Sequence, residues 1–222
     1  MAFVEQLEAW KSERLAPIVG AGQTSLALAA SAPGDAIQLL QIALANEINV
    51  SELAAAWMPS TRELDVKIAF ARQAGDEAGH FQLVADRLTA LGFDVASFAP
   101  TDNPLFQYLR SLTTTVERIA AGLFTLESIA YGVNENFMAF CAQRGDVETV
   151  RIYREYIQPT LMDSTIFSLN SFRRSFSSTL RCSERYRVAF SMAMAMYPAS
   201  VCSSSTSTLE RKSPSSVRLT PR

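Results

Sequence analysis

The sequence has very few residues of the types that build disulfide-rich or thiolate-bound sites. It contains three cysteines and one histidine among 222 residues. Three scattered cysteines are too few for a disulfide framework or a thiolate metal site, so we expect a reducing, cytoplasmic environment. The sequence also lacks a glycine-rich phosphate-binding loop. Its net charge of −2 gives no indication of a nucleic-acid or anionic-membrane partner.

Long apolar runs and targeting signals are scarce as well. Residues 1–8 carry acids where a secretory signal would carry bases. The least charged stretch, residues 18–33, is rich in small residues and contains Gln23 at its centre. It therefore predicts a core helix rather than a membrane span. From these features we expect a protein of the cytoplasm with no membrane partner.

Helical periodicity dominates the rest of the chain. Apolar residues recur at steps of three and four over residues 35–57, 60–91 and 104–142, and again after residue 146. Helix-end signals bracket these segments, namely Asp35, the Ser-x-x-Glu spacing from Ser60, Gly92, and Gly145 with Asp146. Alternating runs typical of strands are weak. The pattern predicts an all-α fold, with an N-terminal helix followed by a four-helix bundle whose second and third helices are joined by a longer connection.

The composition changes sharply after Asp163. Residues 1–163 contain 11 basic and 20 acidic residues, whereas residues 164–222 contain 9 basic and 2 acidic ones. Serine accounts for 16 of those last 59 residues. We therefore predict a helical domain over residues 1–163, with an incomplete fourth helix, and a Ser/Arg-rich tail over residues 164–222. The tail has the composition of a solvated, disordered segment.

The single histidine, His80, follows Glu77 at a spacing of three on the second bundle helix. Residues three apart on a helix share a face, so the carboxylate and the imidazole could bind one metal ion. An isolated Glu-x-x-His is weak evidence, because a lone histidine is more often a hydrogen-bonded side chain. Whether the Glu77–His80 pair belongs to a metal site therefore depends on the residues of the other helices.

Two further acids lie in apolar, small-residue stretches where an unpaired carboxylate is costly. These are Glu47 on the first bundle helix and Glu127 on the third. Counted from the turns at 1.5 Å per residue, Glu47 and Glu77 reach similar levels along antiparallel helices. The same count from Gly145 places a partner for Glu127 near Asp163. The alternative is that each acid lies on the solvated side of its helix.

One Glu on each of two helices and Glu-x-x-His on the others is the di-iron arrangement of ferritin-like bundles. More narrowly, the string Asp-Glu-Ala-Gly-His at residues 76–80 resembles the phenylacetyl-CoA epoxidase oxygenase subunits of the phenylacetate catabolic family. This resemblance spans about residues 35–163. It implies a ferritin-like fold, monooxygenase or oxidase activity, and two iron ions at a complete site, with manganese as a possible substitute. It implies metal ligands at Glu47, Glu77, His80 and Glu127, to which the spacing adds Asp163. It also implies a separate reductase and either a second copy or a related oxygenase subunit as partner.

The chain departs from that pattern on the fourth helix. A second Glu-x-x-His would need histidine at position 166, where the residue is Ile166. One hypothesis is that residues 164–222 are read out of frame, because a shift of one base can turn the codons for residues 164–167 into Tyr-His-Phe at 165–167. Two alternatives to an oxygenase remain, a metal-free structural partner of a catalytic homologue and an iron-storage protein of ferritin type.

Overall fold

The computed structural model describes residues 3–29, 35–100 and 104–175. Within these ranges the chain is helical and contains no β-strand, which confirms the predicted all-α fold. Two π-helical segments, Ile119–Leu126 and Tyr153–Ile157, run without a break into the α-helices that follow them. The α-helices, in chain order, are α1 (Phe3–Ala29), α2 (Asp35–Trp57), α3 (Leu64–Ala90), α4 (Pro104–Ser111), α5 (Thr115–Arg118), α6 (Glu127–Gln143), α7 (Val147–Ile152) and α8 (Gln158–Ser175).

The helices form two antiparallel pairs. Helices α2 and α3 pack along their lengths, and the Ser51 hydroxyl donates a hydrogen bond to the Ala74 carbonyl at 2.7 Å across that pair. Helix α6 packs against α7, α8 and the π-helical segment between them, where the rings of Phe137 and Tyr153 meet edge to face at 5.0 Å. Helix α1 lies against α6 and α8. The predicted N-terminal helix is therefore present and packs on the second pair.

Two glycines end helices as the sequence predicts. Gly92 follows α3 with φ of +87°, and Gly145 follows α6 with φ of +74°. At each end the next residue donates its amide proton back into the helix, from Phe93 to Leu88 and from Asp146 to Cys141. The Asp146 side chain then accepts a hydrogen bond from the Thr149 amide and caps α7. The Gly145 turn brings α6 alongside α7, whereas Gly92 ends α3 before the longer connection to α4.

The structure differs from the predicted helix boundaries in two places. Helix α3 begins at Leu64 without a side-chain cap, and Ser60 instead donates to the Trp57 carbonyl, so the predicted capping box at Ser60 is wrong. The segment predicted as one helix from residue 104 to 142 is broken at residues 112–114. A capping box does occur there, between Thr114 and Glu117, because the threonine hydroxyl and the glutamate reach each other's backbone amides.

Each π-helical segment contains or lies close to a residue that constrains the backbone. At the first, a Cβ on Gly122 would lie 2.7 Å from the Trp57 ring, so the helix approaches α2 closely only because residue 122 has no side chain. At the second, Pro159 lies two residues after the segment ends; it has no N–H to donate, and its ring excludes the carbonyl four residues earlier. Each segment carries one extra residue per turn and so changes which side chains of the following helix face inward.

The interior is divided into two apolar clusters with a polar layer between them. One cluster surrounds Trp57, Phe70 and Phe124, and the other surrounds Leu44, Val84 and Tyr153. Along α2 and along α3 the chain passes from one cluster to the other. The residues at the crossing points are polar and buried, and they form the candidate site.

Helix α8 continues past the predicted domain boundary at residue 163 and ends at Ser175. The remaining residues of the predicted tail, 176–222, lie outside the described ranges. Among the described helices, none combines the length and apolarity that a bilayer crossing requires.

Candidate metal centre

Five polar side chains from three helices form the layer between the apolar clusters. Helix α3 supplies three of them at steps of four and three, which places them on one inward face. All five are buried or partly buried, and the least exposed belong to α3 and α6. They are Glu47 on α2, Gln73, Glu77 and His80 on α3, and Glu127 on α6.

Glu47, Glu77 and His80 converge on one point. The His80 Nδ1 atom lies 3.2 Å from Glu77 Oε2 and 3.4 Å from Glu47 Oε2. One ligand atom from each of the three residues lies within 4.8 Å of the other two. Their side chains are only 4%, 6% and 13% exposed for His80, Glu77 and Glu47. This cluster of two carboxylates and one imidazole could hold a metal ion.

Glu127 is buried beside this cluster but is not part of it. Its side chain is 2% exposed, and Gln73 donates a hydrogen bond from Nε2 to Glu127 Oε1. The amide of Gln73 therefore fills one of the positions where a cation would otherwise bind this carboxylate. The structure places Glu127 in the interior, as predicted, but it does not bring Glu127 into the group of converging ligand atoms.

The layer concentrates carboxyl groups where water is excluded. Burial raises the pKa of Glu77 well above its ordinary value, and the charges of Glu127 and Glu47 raise it further. Burial also raises the pKa of Glu127 to about 8, and the charge of Glu47 adds to the rise. Three carboxyl groups share one imidazole, so the ionised layer has an excess of negative charge. A bound divalent cation would compensate that excess.

Helix α8, which corresponds to the predicted fourth bundle helix, contributes a different residue to the site from the one predicted. The Thr160 hydroxyl lies 2.9 Å from His80 Nε2, whereas Asp163 lies on the exposed side of α8. Thr160 and Leu161 lie on the inward face of α8, and Asp163 is two residues past Leu161 and points away from that face. Counting from the Gly145 turn at a uniform rise ignored the π-helical segment, which changes the facing of α8. The structure therefore does not support Asp163 as a ligand.

The buried carboxyl groups predict how the stability of the metal-free protein depends on pH. Below pH 4.5, the ordinary value for glutamate, Glu77 and Glu127 are protonated in both the folded and the unfolded chain. As the pH rises toward about 8, Glu127 ionises only in the unfolded chain, and Glu77, whose pKa is also raised well above its ordinary value, changes in the same direction. The free energy of unfolding falls over this interval, because the unfolded chain releases protons that the folded chain retains. Chelator-treated protein should therefore lose stability between pH 5 and pH 8.

Chemical denaturation at several pH values measures this effect. The variant Glu127→Gln should show a shallower decline, because it has one fewer buried acid. Stability that stays constant or increases over this interval would contradict the assigned burial of the two carboxyl groups.

Sequence reasoning missed two residues of the site, Gln73 and Thr160. Gln73 lies one helical turn before Glu77 and shares its face, so the spacing of four could have identified it. Thr160 had no comparable signal, because its facing depends on the π-helical segment and on Pro159. No protein-family model, no curated protein and no solved structure matches this chain.

Proposed function

We propose that this protein is a ferritin-like helical bundle that binds one divalent transition-metal ion through Glu47, Glu77 and His80. The observation that carries the proposal is the convergence of their ligand atoms within 4.8 Å in a buried layer rich in carboxyl groups. Unpaired buried carboxylates are costly, and a cation is the partner that makes such a cluster favourable. The connectivity, two antiparallel helix pairs joined by a longer connection, supports the ferritin-like assignment.

The donor set favours iron or manganese. Two carboxylate oxygens and one imidazole nitrogen, with no thiolate, suit these ions better than copper. The residues fit one ion rather than two. The amide of Gln73 already donates a hydrogen bond to the Glu127 carboxylate. At the level of His80, the described part of α8 places the Thr160 hydroxyl and no carboxylate or imidazole. The apolar clusters above and below the layer exclude water from the ion.

We propose oxygen-dependent redox chemistry of the oxidase or monooxygenase type as the activity of the metal-loaded protein. A single ferrous ion, when bound, would supply one electron at a time for the reduction of O₂, and the further electrons would have to come from an external donor. In this proposal Glu47 and Glu77 hold the ion, His80 presents one ring nitrogen, and Gln73 keeps Glu127 in place beside them. A separate reductase would return electrons, since the sequence has no flavin or iron–sulfur module.

A second candidate function is that of a metal-free structural subunit that pairs with a catalytic homologue. The observation that favours it is the hydrogen bond between Gln73 and Glu127. This contact satisfies a buried carboxyl group without a cation, as expected for a bundle that has lost one metal position. Metal content distinguishes the two candidates.

Metal analysis is therefore the first experiment. Purified protein is loaded anaerobically with ferrous iron, or separately with Mn²⁺, then desalted and measured by plasma emission. We expect about one ion per chain, because three ligand residues converge. Oxygen uptake by the iron-loaded protein then tests the proposed redox chemistry. An absence of bound metal would favour the structural subunit, and two ions per chain would contradict the single site.

The variant Asp163→Asn tests whether Asp163 is a metal ligand, as the spacing predicts, or an exposed residue away from the ion, as the structure indicates. Because Asp163 is exposed on α8, the metal content of the variant protein should equal that of the wild type. A loss of bound metal in this variant would show that α8 turns Asp163 toward the site when the ion is present.

A further inference from the structure

The Thr160 hydroxyl makes two contacts but has only one proton. Its oxygen lies 2.8 Å from the Ile157 carbonyl and 2.9 Å from His80 Nε2. A carbonyl oxygen only accepts hydrogen bonds, so the contact with Ile157 requires the threonine proton. This hydrogen bond to a carbonyl of the preceding turn is a common arrangement for threonine in helices.

In the contact between Thr160 and His80, the histidine must therefore be the donor. With its proton committed to Ile157, the threonine oxygen is an acceptor for His80, and Nε2 must carry a proton. The nitrogen left to bind an ion is Nδ1. This is also the nitrogen that faces Glu77 and Glu47, at 3.2 and 3.4 Å.

We propose that Thr160 is a positioning residue that fixes the tautomer and the ring orientation of His80, so that Nδ1 is the metal-binding atom. This inference rests on the metal site proposed above. The hydrogen bond behind a metal-bound histidine normally sets which nitrogen binds and holds the ring in place. Here that bond comes from α8, a helix that supplies no ligand to the converging group. Through Thr160, the second helix pair sets the geometry of a site whose ligands lie on the first.

The sequence makes this assignment directly measurable. His80 is the only histidine in the chain, so the imidazole nitrogen spectrum of a tag-free, ¹⁵N-histidine-labelled protein reports on this residue alone. Zn²⁺ serves as the diamagnetic probe ion. We expect the wild type to show a protonated Nε2 and a Zn²⁺-bound Nδ1.

Two variants of nearly the same shape test the hydroxyl. Thr160→Val keeps the branched shape but cannot accept the hydrogen bond, so we expect Zn²⁺ affinity to fall by about 10–100-fold and the Nε2 proton signal to exchange rapidly. Thr160→Ser retains the hydroxyl and should restore both properties. Circular dichroism and the melting temperature of the metal-free variants verify that the fold is intact.

The outcomes separate this inference from the proposed function. Zn²⁺ bound through Nε2, or a Thr160→Val variant with wild-type affinity and spectrum, would overturn the role of Thr160 while leaving the metal site intact. A wild type that binds no Zn²⁺, Fe²⁺ or Mn²⁺ would overturn the proposed function. In that case the nitrogen spectrum of the metal-free protein still tests the role of Thr160, because an unprotonated Nε2 would contradict it.

Discussion

Replacing Glu77 by glutamine is expected to abolish metal binding without harming the fold. Glu77 lies at the centre of the layer, since its carboxyl group contacts His80 and its pKa responds to both Glu47 and Glu127. Glutamine keeps the size of the side chain but is a poor ligand. Removing partners that lie behind metal ligands already costs roughly 10–100-fold in affinity, so losing a direct ligand should exceed 100-fold.

The metal-free Glu77→Gln variant should melt at a temperature equal to or above that of the wild type near neutral pH. The reason is that a buried carboxyl group with a raised pKa is costly to ionise, whereas an amide carries no charge. Loss of metal together with retained or improved stability cannot be explained by misfolding. Metal analysis and thermal denaturation of the same preparations provide both readouts.

Glu52→Gln is the matched control. Glu52 is an exposed acid on α2, five residues from Glu47, and the same chemical change there removes one negative charge at the surface. We expect its metal content to be unchanged. If Glu77→Gln retained a full complement of metal, the assignment of the site to this cluster would be wrong.

The largest effect on stability is expected at Arg118. Its side chain is 6% exposed, and it joins the two connections at one end of the molecule. Nε donates to the Leu112 carbonyl at 3.0 Å, and Nη1 donates to the Ser60 hydroxyl at 2.9 Å. Further contacts of Nη1 reach the Trp57 carbonyl and the Thr61 hydroxyl. One guanidinium group therefore satisfies oxygen atoms from both breaks between helices.

Arg118→Ala should lower the free energy of unfolding by about 3 kcal/mol, because it leaves buried carbonyl oxygens without donors and opens a cavity. Urea denaturation of the metal-free protein measures the change. Arg72→Ala on the exposed side of α3 is the control and should stay within about 0.5 kcal/mol of the wild type. Equal stabilities of the two variants would show that Arg118 is not buried as described.

The sequence predicted the helices better than their connections. Apolar periodicity and the glycines at positions 92 and 145 depend on local chemistry, and the structure confirms both. The break at residues 112–114 was missed because its main stabilising contact, through Arg118, involves residues more than 50 positions away. A local pattern carries no information about such a contact. The capping box at Thr114 was the one local signal of that break.

The site was predictable only in part, for a similar reason. Glu47, Glu77 and His80 could be inferred from acids in apolar surroundings and a helical spacing of three. Glu127 was predicted as buried, but its partner Gln73 was not. Asp163 lies on the exposed side of α8. Distance along a helix gives the level of a residue but, without a uniform helical pitch, does not give the direction in which its side chain points. After a π-helical segment, the direction in which a side chain points depends on the tertiary packing of the helix and cannot be read from sequence spacing alone.

The widened turns from Ile119 to Leu126 make this stretch sensitive to length more than to composition. If the turns stay widened, removing any one residue would rotate everything downstream by nearly the ~100° that one helical residue spans. Glu127 would then leave the interior, and the apolar face of α6 would turn with it. Most apolar substitutions in the same stretch would preserve that alignment. Variation among homologous chains should therefore tolerate exchanges here but exclude single-residue deletions.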